Sequence, residues 1–418
     1  MRKKSLFIDL SLLKSNRYFR AIFVARMLSV FALGMLAVGV PVQVQQMTGS
    51  TLQVGVAVMV EGIGTFIGLL WGGVLADRLD RRRLILFSRG TCGIGFVLLS
   101  LNACLSTPSL WALYLLAAWD GFFGALGMTA LMASIPHLVG RENLAAAGAL
   151  SMITVRIGAI ISPALAGMII VAGGPGLSFA VAAAGTLATL IPLVRLPTMK
   201  PEPGAPEHPL RTMLGGVQFV CRHPVVGCVM LLGLLISAAG AIRILFPALA
   251  QETWHVGLTQ VGLMYSAVPL GAMTGAFTSG WIAHHRRPGI MLLFCASAAF
   301  AAIACLGMAQ HCLAGLLALV GYGYFNAIAS LLQFTLVQSY TPDRLLGRVN
   351  SLGTAQDVSG DSLGALSLGG LARMLPPSLT AVAFGACALG IGLLMSVLVA
   401  PLRRARFAAP EGEAAPEG

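Results

Sequence analysis

Gly73-Val-Leu-Ala-Asp77-Arg78-Leu-Asp80-Arg81-Arg82-Arg83 separates two long apolar runs, at about 53–77 and 83–104. Each run is long enough to cross the roughly 30 Å apolar core of a bilayer as a helix. The charges between them are too dense for that core, so the stretch reads as a tight turn at a membrane surface. Gly73 lets helices approach closely. Asp77 can face the positive N-terminus of another helix, and the arginines keep the turn at the surface.

The same alternation fills the rest of the 418 residues, of which 57% are hydrophobic and 10% charged. A soluble domain has about a quarter of its residues charged. Apolar runs at 18–44, 53–77, 83–104, 109–136, 143–171, 176–196, 224–250, 258–283, 288–309, 312–340, 345–374 and 378–401 predict twelve transmembrane helices, hence an all-α integral membrane protein. That excludes a soluble multidomain enzyme and a membrane anchor carrying a large aqueous domain. The first run is too long for the apolar part of a signal peptide and reads as a permanent span.

The net charge of +12 follows topology. Basic residues cluster at Arg2–Arg20, Arg78–Arg89, Arg141, Arg195–Arg222, Arg286 and Arg287, Arg344 and Arg348, and Arg403–Arg406. The intervening segments 45–52, 104–109, 172–176, 251–258 and 310–312 contain no lysine or arginine. This is the positive-inside pattern, which places both termini in the cytoplasm and gives no reason to expect a nucleic-acid partner. Eight cysteines show no CxxC spacing and lie mostly inside apolar runs, so no disulfide framework is expected.

Hydrophobicity breaks longest between Leu196 and Pro224, around Lys200-Pro-Glu-Pro-Gly-Ala-Pro. The expected domains are an N-terminal six-helix bundle (1–196), a cytoplasmic linker (197–223), a C-terminal six-helix bundle (224–402) and a disordered cytoplasmic tail (403–418). His208–Arg222 in the linker is mildly amphipathic and should lie along the inner leaflet. The two bundles repeat each other. With a shift of 207, Gln53-Val54-Gly55 meets Gln260-Val261-Gly262, and Gly64, Gly68 and Gly73 meet Gly271, Gly275 and Gly280. With a shift of 206, Gly34, Pro41 and Pro136 meet Gly240, Pro247 and Pro342. Six spans per copy make the repeat parallel, with a site between the halves.

The turn after the second run resembles the G-x-x-x-D-R-x-G-R-R signature of the major facilitator superfamily, with Asp80 where that family prefers glycine. The resemblance implies the major facilitator fold, and a gating role for Gly73, Asp77, Arg78, Arg81 and Arg82 that latches one access state. The second copy, Gly280-Trp-Ile-Ala-His284-His285-Arg286-Arg287, lacks the aspartate; its adjacent histidines point apart on a helix and imply no metal. Gly158-Ala-Ile-Ile-Ser-Pro163-Ala-Leu-Ala-Gly167 resembles the glycine–proline motif of proton-coupled exporters of the superfamily, and reads equally as small-residue helix packing.

A charge at mid-span costs roughly 2.5–3.5 kcal/mol even on lenient scales, so each needs a reason. Seven such residues occur: Arg26, Glu61, Asp120, Arg156, Arg243, Asp357 and Asp361. Arg26 can snorkel or function. Asp120 and Arg156 can neutralise each other across the first half. Asp357 and Asp361, one helical turn apart, form either a proton site or a pair held by an arginine, with Arg243 the best candidate. Tyr322, Tyr324, Asn326, Ser330 and Gln333 give the tenth span a polar, aromatic character. Spans one, four, seven and ten line the cavity in the superfamily, so Tyr322 and Asn326 become candidates for contact with a ring-bearing substrate.

No enzyme and no cofactor are expected. The four lysines do not follow glycine as a Walker A loop requires, and HExxH does not occur. Gly360-Asp-Ser362-Leu-Gly364 fits GxSxG but lies within an apolar run, without the strand that a nucleophile elbow needs. A secondary transporter driven by an ion gradient remains.

More specific stretches are similar to the enterobactin-exporter family. They are Leu10-Ser-Leu-Leu-Lys14, Phe19-Arg20-Ala21, Arg89-Gly-Thr-Cys-Gly-Ile-Gly-Phe96, Leu-Leu-Ala-Ala-Trp119-Asp120-Gly-Phe-Phe123 and Val139-Gly-Arg-Glu-Asn-Leu144. Thr154-Val-Arg156, Glu207-His-Pro-Leu210, Leu346-Gly-Arg348 and Gly360-Asp361 complete them. The resemblance implies a monomeric, multi-pass exporter in the bacterial inner membrane, moving enterobactin or a related catecholate siderophore to the periplasm in exchange for protons. A periplasmic and outer-membrane efflux channel is a further expected partner, and a broad multidrug exporter is the alternative. Asp120, Arg156 and Asp361 fall within the matching stretches and Arg26 lies close to one. Glu61 and Asp357 fall outside them and form a second tier.

Overall fold

A computed structural model of the chain describes residues 16–139, 143–200, 209–284 and 287–405. Among these residues there are helices and no strand. α1 (Arg17–Thr48) starts at Asn16, whose Oδ1 accepts from the backbone N–H groups of Tyr18 and Phe19 at 3.0 Å. It ends at Gly49 in the left-handed region, where the Gly49 N–H returns to Gln45 O at 2.8 Å. α2 (Thr51–Ala76), α3 (Arg81–Ala103) and α4 (Leu110–Val139) follow with short connections.

α5 (Leu144–Ala188) contains both the fifth and the sixth predicted spans. It bends at Gly173 and Gly174, and Gly174 has φ 74°, which a Cβ would strain. Pro175 starts the second arm. α6 (Pro209–Arg222) is the amphipathic segment; Gly216 packs it against the backbone of Arg348. α7 (Pro224–Gly240) gives way at Ala241 to a succession of 3-10, α and π turns as far as Thr253. α8 (Leu258–Thr278), α9 (Pro288–Met308), α10 (Cys312–Tyr340), α11 (Asp343–Leu371) and α12 (Pro377–Leu398) complete the bundle.

Ten helical segments among the described residues are long and apolar enough to cross a membrane, the bent α5 counting as one. α11 matches them with 29 residues but is more polar. Large apolar side chains point outward, among them Phe277, Leu115 and Phe87. Glycine, alanine and serine mediate close helix contact inside. This is the inverse of a soluble protein and suits an apolar solvent.

α1 packs on α5, α2 on α4, and α3 on both α4 and α5; α7 packs on α10 and α11, α8 on α10, and α9 on α10 and α12. These two groups of helices meet where α2 lies on α11 and α5 on α8. They meet near the connections 48–51, 253–258 and 371–377 and also at mid-helix, where Gly62 packs against Ser362 and Gly55 against the carbonyl of Ala365. A Cβ on Gly262 would stand 3.0 Å from Gly167 Cα, and one on Gly369 only 2.9 Å from Leu52 Cα. Gln45 Nε2 donates across the same end to Glu252 Oε1 at 3.4 Å. The two groups of helices thus touch along the side that carries these connections.

The glycine–proline stretch is a helix crossing. Gly167 gives way to Gly262 and to the carbonyl of Leu258, and Gly158 packs on Val30. Gly360 and Gly364, of the apparent GxSxG, likewise pack on Ser237 and Ala238 of α7. Residues 201–208 of the expected linker, His285 and Arg286, and residues 406–418 of the expected tail lie outside the described residues.

Candidate functional site

The break after α7 sets Arg243 at the centre of the bundle. Its Nη2 donates to Asp361 Oδ2 of α11 at 2.6 Å, and its Nη1 donates to Asp361 Oδ1 and, at 3.3 Å, to Gly240 O. The pair is bidentate, the strongest geometry for a guanidinium on a carboxylate. Its side chains keep 32% and 28% of their surface exposed, so the pair faces open space within the bundle rather than a sealed core.

Tyr265 of α8 donates its hydroxyl to Arg243 O at 3.0 Å, tying down the broken segment. Tyr322 of α10 is buried, interacts electrostatically with Arg243 and Asp361, and has no hydrogen-bond partner for its hydroxyl among the described residues. Asn326, one turn further on, has an unpartnered Oδ1 as well. Two aimed polar groups beside an exposed ion pair can receive a polar ligand. Glu61 of α2 is half-buried and faces both Arg243 and Asp361. Asp357, one turn before Asp361, is exposed and accepts from Ser237 Oγ at 2.8 Å.

A second charged group lies among α1, α3, α4 and the second arm of α5. Asp120 is 4% exposed, and its neighbours are Arg89 and Cys92 of α3. Arg26 of α1, 8% exposed, shares the site, and its Nη1 reaches Met132 Sδ at 3.7 Å. A cavity of about 60 Å³ separates these groups, lined also by Ser29 and Thr186. Arg26 Nε, Asp120 Oδ1 and Thr186 Oγ1 are all buried there without a protein partner among the described residues.

Two expectations change here. Arg156 does not neutralise Asp120: it is exposed, and among the described residues the only ion pair is Arg243–Asp361. Arg89 is the arginine that lies near Asp120, without forming an ion pair with it. Nor does Arg26 snorkel, since it is buried against α4. Tyr324, two residues after Tyr322, packs toward α8, accepting from Thr278 Oγ1 at 3.2 Å.

At the turn, Arg81 Nη1 donates to Ala133 O at 2.9 Å and Nε to Ala76 O at 3.3 Å, while Arg82 Nη2 donates to Val194 O. Asp80 needs no glycine geometry, having φ −59°. It caps α3, its Oδ1 accepting from the N–H of Arg82 and of Met199, both at 3.0 Å. The aspartate thus fastens the turn to the segment after α5. Asp77 and Arg78 are exposed, and no side-chain hydrogen bond of Asp77 occurs among the described residues.

Membrane-length helices in two groups that meet around a central ion pair are the layout of the secondary-transporter folds. The chain belongs to the Major Facilitator Superfamily, which matches residues 22–365, and is a multi-pass protein of the bacterial inner membrane. It is 49% identical over 416 residues to the Enterobactin exporter EntS of Citrobacter koseri, covering 100% of both chains. The Enterobactin exporter EntS of Escherichia coli O1:K1 is also 49% identical, over 98% of this chain and 99% of that one. Among solved structures, a POT family transporter in complex with 5-aminolevulinic acid gives a TM-score of 0.74 at 14% identity, over 93% of this chain and 97% of that chain. The nucleoside transporter NupG gives 0.75 at 12% identity, over 91% and 98%. These two share the fold alone.

Proposed function

We propose that this chain exports enterobactin, or a closely related catecholate siderophore, from the cytoplasm to the periplasm by alternating access in exchange for protons. The observation that carries this reading is the 49% identity to enterobactin exporters along the full length. Counting the arms of α5 separately and adding α11 gives twelve crossings, in two parallel six-helix halves at 1–196 and 224–402. The positive-inside pattern puts both termini in the cytoplasm. The end with Gln45–Glu252 and Gly167–Gly262 is then periplasmic, and the cavity opens to the cytoplasm, where the cargo is made. Arg81 and Arg82 brace the turn within the first half, leaving Asp77 free to latch the cytoplasmic end when it closes.

Catechol hydroxyls donate hydrogen bonds and their oxygens accept them. Ionised Asp361 and Glu61 would accept from those hydroxyls, while Arg243, Tyr322 and Asn326 bind the oxygens or stack on the rings. A proton arriving on either carboxylate removes an acceptor that the cargo needs. Cargo and proton then compete, which is the requirement for exchange. Arg26 and Asp120 extend the polar surface into the first half.

Iron-starved cells that make enterobactin but lack their own exporter test the reading. Expression of this chain should restore intact enterobactin to the medium and lower it inside the cell. Unchanged secretion by a chain confirmed in the membrane, with raised resistance to unrelated drugs, would favour a multidrug exporter instead.

A further inference from the structure

The two charged groups are joined by one residue. Glu61 lies where α2 crosses both α4 and α11. Gly121, which follows Asp120, has no room for a Cβ because Glu61 O stands there. Gly62, which follows Glu61, is packed in the same way against Ser362 Oγ, the residue after Asp361. The backbone at 61–62 is thus held between 120–121 and 361–362. Glu61 interacts electrostatically with Asp120 on one side and with Arg243 and Asp361 on the other.

Asp361 is engaged by both nitrogens of Arg243, so adding a proton there gives up two charge-assisted hydrogen bonds. Asp120 has Arg89 beside it. The Glu61 carboxylate has no side-chain hydrogen bond or ion pair of its own among the described residues, and a proton placed on it breaks no pair. The ionisable groups around it are Asp120 of α4, with Arg89 of α3 and Arg26 of α1 behind it. On the other side are Arg243, Asp361 of α11 and Tyr265 of α8, with Tyr322 of α10 beside the ion pair and Asp357 one turn before Asp361.

We infer that Glu61 is a proton-binding site linking the Arg89–Asp120 group of one half to the Arg243–Asp361 pair of the other. This rests on the reading of the chain as a proton-exchanging exporter. The site is shared by the halves at their contact, so its occupancy reports on both clusters at once. When Glu61 carries a proton, repulsion between the three carboxyl groups falls and the halves can remain in contact around it. When the proton leaves, the carboxylate becomes available to a catechol hydroxyl. Glu61 is the only glutamate within the middle of a membrane-crossing helix among the described residues; Glu252 lies at the end of the broken segment.

Infrared titration of the full chain in lipid vesicles, with glutamate labelled by ¹³C at its side-chain carboxyl, tests this without any cargo. An isotope-shifted protonated-carboxyl band that appears and disappears with pH is expected in the wild type. Glu61→Asp should move the band to the unlabelled position, and Glu61→Gln should abolish it. In the same vesicles a pH gradient should drive enterobactin accumulation in the wild type, reduced about tenfold or more in Glu61→Gln and retained in Glu61→Asp. A wild type without a titrating labelled band overturns the site, as does a band that stays in the labelled position in Glu61→Asp. Wild-type vesicles that show the band but carry no enterobactin would leave the proton site standing and remove the cargo.

Discussion

Arg243 and Asp361, 118 residues apart in the chain, form a bidentate ion pair at the centre of the bundle, and the pair joins the broken end of α7 to the middle of α11. Either partner alone would leave a half-buried charge within the bundle without its counter-ion. Arg243→Gln and Asp361→Asn should therefore each lower the melting temperature more than the double variant does. A coupling of about 0.5–3 kcal/mol is expected from the double-mutant cycle. Both single variants should lose enterobactin export. Additive melting shifts would show that the pair does not hold the halves' central elements together.

Arg89 and Arg156 offer a direct contrast. Arg89 is 8% exposed beside Asp120, whereas Arg156 is exposed. Removing a buried charge from beside an opposite one is costly, whereas a change at an exposed site usually stays within about 0.5 kcal/mol. Arg89→Met should fall steeply in thermal stability and membrane yield, and Arg156→Met should hardly change. The reverse order would return Arg156 to Asp120.

Asp80 replaces the glycine of the superfamily signature and earns its place by capping α3 and holding Met199. Asp80→Ala removes an N-cap, a loss of about 1 kcal/mol, and also frees the segment after α5. Asp80→Asn keeps an accepting oxygen and should retain most of that stability. Thermal unfolding of the purified variants in detergent measures the difference.

An arginine is not left facing lipid at mid-span, so on the proposed reading the exposed Arg156 should face water in a cavity open to the cytoplasm. In a background without native cysteines, Arg156→Cys should react with a membrane-impermeant maleimide from the cytoplasmic side and not from the periplasmic side. Enterobactin should slow that labelling. Equal labelling from the periplasm would contradict the orientation or the resting state.

Much of this was legible in the sequence because the bilayer makes hydrophobicity nearly a map of the fold. The apolar runs anticipate an all-helical chain, with ten helical segments of membrane-crossing length among the described residues. The backbone leaves helical geometry at Gly173 and Gly174, so the long α5 is two helical arms joined at a kink. The partner of Asp361 was readable because a buried charge demands one, and few arginines lie at that depth. The arginine beside Asp120 was not. Sequence gives the depth of a residue along a helix but not which neighbour its face meets, and Arg89 was absorbed into the surface cluster that begins at Arg78. Arg89 lies eight residues into α3, roughly 12 Å from its start, which is the signal that separates it from the turn. Asp80 could not be explained from the signature alone, since its second partner, Met199, is 119 residues away.

The most direct test of the account is enterobactin flux in inside-out membrane vesicles that contain this chain, energised so that protons accumulate in the lumen. The account predicts that enterobactin enters these vesicles against its gradient, that a protonophore abolishes the entry, and that vesicles lacking the chain show none. Entry that persists at full rate with the protonophore would contradict proton exchange. An absence of entry by a folded chain would contradict the export of enterobactin itself.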